Sequence, residues 1–226
     1  ILSGSEVNIG DGEAATAFTA ASATSTGSLT VNKAELNVPS LTANTTSGSI
    51  TLIGDVTVNG DAGLALTGKN ISIGNGSAAT TFTAASVAGR DSLVFNKATL
   101  GVENISAVSA VDFKGAIAAA GKNLQITAPT VTIGDGSTTT SITSGQVNAK
   151  AAAENGTATL NVNKASLTVG ALGAKTAINF KGDVTSTVAD MALDAPVTNV
   201  GNGTDAALST TEANSPSPIT ESSSAG

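Results

Sequence analysis

One phrase is written three times along this chain and begun a fourth. VNIGDGEAATAFTAAS at 7–22 returns as ISIGNGSAATTFTAAS at 71–86 and VTIGDGSTTTSITSGQ at 131–146, with a shorter echo, TNVGNGTDAALST, at 198–210. Other markers keep the same order. VNKA around Lys33 recurs as FNKA around Lys97 and VNKA around Lys164, and a glycine in IGDVT (Gly54) recurs in FKGAIA (Gly115) and FKGDVT (Gly182). A chain that repeats itself about every 64 residues packs each copy against its neighbours, because a single copy is too small to bury its own apolar face.

A shorter period is nested inside. Apolar–polar–apolar triplets, the signature of short strands, place one apolar series at Ile9, Val31, Leu52, Ile73, Phe95, Phe113, Ile133, Val162, Phe180 and Val200. A second series runs Phe18, Leu36, Val56, Phe82, Leu100, Ile117, Ile142, Leu167, Val184. Steps cluster near 20 residues. The spacing therefore predicts an all-β chain: a single parallel β-solenoid, expected to be a right-handed β-helix, of about ten coils of roughly 20 residues grouped in three super-repeats of roughly 64. The solenoid is expected over 1–208, with super-repeats at about 7–70, 71–130 and 131–197 and a partial one at 198–208. The segment 209–226 carries Pro216 and Pro218 among Ser and Thr and reads as a tail or linker. One step breaks the rhythm: 29 residues separate Ile133 from Val162. The extra stretch, NAKAAAENG at 148–156, is expected as a protruding loop with a short helical turn in AKAAAE.

Composition supports thin layers rather than a bulky core. The chain has 226 residues with 5 Phe and no Trp, Tyr, His or Cys. Three tandem β-sandwiches would need large aromatic core residues and longer strands. At 40% hydrophobic residues with regular apolar spacing, disorder does not fit. A net charge of −7 argues against nucleic acid and anionic membrane surfaces as partners. No apolar run is long enough to insert in a membrane as a helix. The start at Ile1 suggests a processed form or a piece of a longer chain.

Few residues can carry chemistry. Without His and Cys, no Ser/His or Cys/His pair exists, and Arg90 is the sole arginine. Asp55, Asp61, Glu103, Asp112 and Asp183 are scattered along the sequence rather than paired as acid and base. The IG[DN]G phrase is read as a corner turn, since Gly, Asp and Asn tolerate positive φ. A calcium loop would need carboxylates throughout, and Asn75 and Asn202 replace Asp11 and Asp135. A phosphate-binding loop would need a following Lys–Ser/Thr and a helix. Thr16, Thr80 and Thr140, with Thr19, Thr83 and Thr143, recur once per super-repeat, too sparsely for an ice-matching array. Lys33, Lys97 and Lys164 are expected at solvated corners, with their stems covering apolar surface. No catalytic, cofactor-binding or metal residue is assigned, and no cofactor.

The stretch GSITLIGDVTVNGDAGLALTGKNISIGN, 48–75, resembles the β-helical stalks of bacterial filamentous-haemagglutinin-like adhesins and autotransporter passengers. The resemblance extends in style and period over about 7–208. It implies a non-enzymatic structural segment of an extracellular fibre or cell-surface adhesin, secreted, with no membrane insertion. The expected partners are further copies of itself, end to end, or the rest of a longer adhesin chain, and host or matrix glycans. A carbohydrate- or ice-binding module is the alternative expectation.

Overall fold

A computed structural model describes residues 1–61, 63–201 and 208–210, the last three as backbone only. The chain is an all-β parallel β-solenoid, and among the described residues there is no helix. It groups into two compact units, Ile1–Ala110 and Val111–Gly226.

In the first unit, Ile9, Val31, Leu52, Ile73 and Phe95 are strand partners in that order, one per coil. Parallel pairing sets one above the next at the strand spacing of about 4.8 Å. In the second unit, Ile133, Val162, Phe180 and Val200 are likewise partners. Phe113 joins that column through its carbonyl, which accepts a bond from the Gly134 amide at 2.9 Å. The first apolar series is thus a stacked column in each unit. Its inward members are shielded almost completely, and Phe95, Phe113 and Phe180 are among the largest fully buried side chains. Val200 is the exception, at 52% exposed. It lies in the outermost coil whose side chains are described, paired with Phe180.

The second series needs a correction. Leu36 pairs with Val58 rather than Val56, and Val56 stands on Ala34. The same slip recurs in the other unit: Leu167 pairs with Ser186, and Val184 stands on Ala165. Ala34 and Ala165 are buried, at 1% and 2% exposure. Small inward residues are easily missed when large apolar ones are used as markers. A slip of two preserves the inward face, because strand side chains alternate with period two.

A third apolar column completes each coil. It runs Ala23, Leu41, Leu66, Gly89 and Ala107 in the first unit. Leu124, Val147, Leu172 and Leu193 form its counterpart in the second. Each full coil therefore has three short faces separated by corners. Strand Leu208–Thr210 pairs with Ala177–Ser186; the Pro/Ser/Thr-rich segment 211–226 lies outside the described residues.

The insertion is a loop only from Ala151 onward, since 148–150 continue a paired strand, and it is not helical. Strand Thr140–Lys150 ends at the lysine, and bends and a turn lead to strand Thr159–Ala174. Gly156 closes the turn with its amide on the Ala153 carbonyl, 2.9 Å.

Candidate functional site

Two features stand out from the scaffold: the recurring corner, and a groove beside the inserted loop.

The corner joins the two most repeated phrases. Gly10, Gly74 and Gly134 have φ of 81°, 87° and 85°, which glycine tolerates best. A Cβ on any of the three would overlap the backbone carbonyl oxygen of Asn32, Asn96 or Asn163 in the next coil. Two residues on, a Cβ at Gly12, Gly76 or Gly136 would crowd the Nδ2 atom of the same asparagine, at 2.5, 2.8 and 2.7 Å. Asparagine therefore lies flat against the glycine turn, and both glycines are demanded by close approach.

The residue between the glycines makes an Asx turn. Asp11 accepts the Glu13 amide at 2.9 Å, Asn75 the Ser77 amide at 3.0 Å and Asp135 the Ser137 amide at 2.9 Å. Asp and Asn share the one acceptor oxygen this needs, which explains why they alternate. The Ser137 hydroxyl also donates to Asp135 at 2.5 Å. These two bonds hold the Asp135 carboxyl below its ordinary pKa, with burial opposing slightly. Asn202 lies outside the described residues.

The lysines differ from a merely solvated corner. Lys33, Lys97 and Lys164 have φ of 53°, 56° and 50°, and they are the positive-φ non-glycine residues described. Each ammonium reaches back to the glycine turn and donates to a backbone carbonyl: Lys33 to Glu13 at 2.7 Å, Lys97 to Ser77 at 2.7 Å, Lys164 to Ser137 at 3.0 Å. An acidic partner is not needed, because the turn offers a backbone carbonyl. The strained lysine also marks a bulge. Asn32 faces Ile53 while Ala34 faces Val56, and Asn163 faces Lys181 while Ala165 faces Val184, so the opposing coil carries one extra residue at Gly54 and Gly182.

The recurrent threonines divide. Thr80 and Thr140 are 1% exposed and point inward, whereas Thr19 and Thr83 are exposed and Thr16 and Thr143 half-buried. Buried hydroxyls cannot meet an external lattice. Other polar side chains bond along the stack: Asn179 donates to Asn161 at 2.9 Å, Asn199 to Asn179 at 2.8 Å, and the Thr168 and Thr187 hydroxyls are hydrogen-bonded to each other at 2.7 Å. No group of three or more acidic residues that could hold a metal ion occurs among the described residues.

The groove belongs to the second unit and lies on its third face. Its volume is about 590 Å³. Gln125, Asn148, Gly173 and Asp194 are strand partners in that order and line it. Lys150 and Ala151, where the insertion leaves the strand, form a side, with Lys175 and Pro196 beyond. The Lys175 ammonium donates to the Glu154 carbonyl and, at 3.5 Å, to that of Ala153. The Lys175 amide donates to the Ala149 carbonyl at 3.2 Å. One lysine thus ties the inserted loop to the next coil. Sequence reasoning flagged the insertion, which includes Asn148, Lys150 and Ala151, but not Gln125, Gly173, Lys175, Asp194 or Pro196. The only other signal was a polar residue between apolar ones in NLQIT, QVNAK and MALD, which any half-exposed strand shows.

No protein-family model, curated protein or solved structure matches this chain.

Proposed function

We propose that this chain is a non-enzymatic structural segment of an extracellular bacterial fibre or cell-surface adhesin, able to stack end to end with further copies of itself. The observation that carries this reading is the corner lock. Gly, Asx, Asn and Lys, the repeated corner positions, pack against an adjacent coil or bond to the backbone of a neighbouring or their own turn. The repeat is accordingly a strut: selection for spacing and stacking explains it without a ligand. The likeness of 48–75 to adhesin stalk repeats is what points outside the cell.

Antibodies against the chain should label intact producing cells. Label seen only after permeabilisation overturns the surface assignment. Light scattering and negative-stain microscopy of the purified 226 residues should show assemblies that lengthen with concentration. A monodisperse monomer at high concentration removes self-assembly and leaves the stalk reading.

A further inference from the structure

The groove on the third face of the second unit is an open depression floored by four strands. Gln125, Asn148, Gly173 and Asp194 stand on four successive strands. Three steps of about 4.8 Å spread them over about 14 Å. Gly173 has a specific part in this floor: a Cβ there would overlap Asn148 Oδ1, so the absence of a side chain leaves room for the amide. Asn148 is oriented from its own strand as well, its Nδ2 lying 3.3 Å from Gln146 Oε1. The inserted loop, tied down by Lys175, makes the adjoining side, and the regular coils of roughly 20 residues lack that extra stretch.

The groove's chemistry is mixed. Gln125 and Asn148 each offer both donors and acceptors, Lys150 donates and Asp194 accepts. Its apolar members are small, Ala149, Ala151 and Ala174 among them, so an apolar ligand gains little area there. An extended peptide binds by adding to an unpaired strand edge, but the strand carrying Asn148 is already paired on both sides. A polyanion finds Lys150 and Lys175 in the lining but also Asp194, on a chain of net charge −7. A sugar hydroxyl, donor and acceptor at once, suits alternating amide, carboxylate and ammonium groups.

We propose that this groove binds a neutral, hydroxyl-rich polysaccharide chain lying across the coils, with Asn148 and Asp194 as its main hydrogen-bonding contacts. This goes beyond the fibre reading and does not depend on it.

Native electrophoresis of the full chain through gels containing dextran, a soluble β-glucan or a galactomannan tests it, with alginate as the charged arm. At least one neutral polymer should retard the parent protein. Asn148→Ala and Asp194→Ala should each weaken that retardation about three- to tenfold, as expected for one lost hydrogen bond. Ser28→Ala, on the first unit, should leave it unchanged. Thermal melting of every variant by circular dichroism separates lost contact from lost fold, and Asp194, being exposed, is the variant least able to disturb packing. No retardation by any neutral polymer, retardation by alginate alone, or equal mobility of parent and folded variants overturns the proposal. None of these results bears on surface labelling or self-assembly, so the two readings fail separately.

Discussion

At the residue scale the most informative position is a lysine in a backbone conformation that disfavours it. An L-residue with left-handed φ costs about 1–2 kcal/mol, and Lys97 at φ 56° bears that cost while its ammonium supports the Ser77 carbonyl at 2.7 Å. Lys97→Ala keeps the strain and loses the bond, so it should lower stability by about 0.5–1.5 kcal/mol. Lys97→Gly loses the same bond but relieves the strain, so it should melt above Lys97→Ala. Chemical denaturation of the pair decides, and a glycine variant weaker than the alanine one contradicts the strain argument. Two glycines of the second unit make a sharper contrast. Gly134→Ala drives a Cβ into the Asn163 carbonyl, whereas Gly121→Ala, at φ 71°, meets nothing within 4 Å. The first should destabilise by several kcal/mol, the second by only the conformational cost of about 1–2; similar melting points would refute the close approach. Asp135 adds a pH effect. Its folded pKa is depressed by the Ser137 hydroxyl and amide, so its stabilisation is full above the ordinary value of about 3.9 and disappears as pH falls through the lower folded value. Asp135→Asn retains the turn acceptor, as Asn75 does natively. Any deficit of that variant at neutral pH should therefore shrink in acid, and a deficit that grows below about pH 3.9 would contradict the sign.

At the element scale the strands are short and depend on their neighbours. Asn70–Ile73 and Thr130–Ile133 are each 4 residues long, with alternate side chains inward. Such strands have little independent stability, and parallel pairing with adjacent coils supplies it. Phe113→Asp would place an unpaired carboxylate in a position that is 0% exposed. The expected loss is several kcal/mol, and the loss should concentrate in Ala110–Thr127 and the coil stacked on it. Amide exchange mapped along the chain measures this; protection that falls uniformly, or does not fall, rules out the inward assignment. The alternation in VDF or LTV reveals which residues face in. It does not reveal the register between coils, since a slip of two leaves the pattern intact. That is why Val56 and Val184 were assigned to the wrong rung, and only the bulges opposite Lys33 and Lys164 resolve it.

At the scale of the whole molecule, the two compact units each have their own stacked apolar columns, and repeat proteins gain stability from nearest-neighbour interfaces. Unfolding should accordingly depart from a single two-state transition. Gly134→Ala should weaken exchange protection in Val111–Gly226 more than in Ile1–Ala110, and equal loss in both would indicate one cooperative block. The solenoid itself was legible in the sequence, because period-two alternation nested in a step near 20 residues has few other packings. The corner turns were legible too, because Gly and Asx at fixed offsets report a local backbone need. The third column was overlooked where small residues such as Ala23 and Gly89 occupy it. The bond from Lys97 to Ser77 spans 20 residues, and spacing alone does not show which carbonyl a long side chain will meet. The groove was the least visible: Gln125, Asn148, Gly173 and Asp194 lie far apart in the chain and share no motif. Local propensity determined each strand and turn, whereas the coil register and the inserted loop decided which polar groups converge, because convergence is a property of stacking.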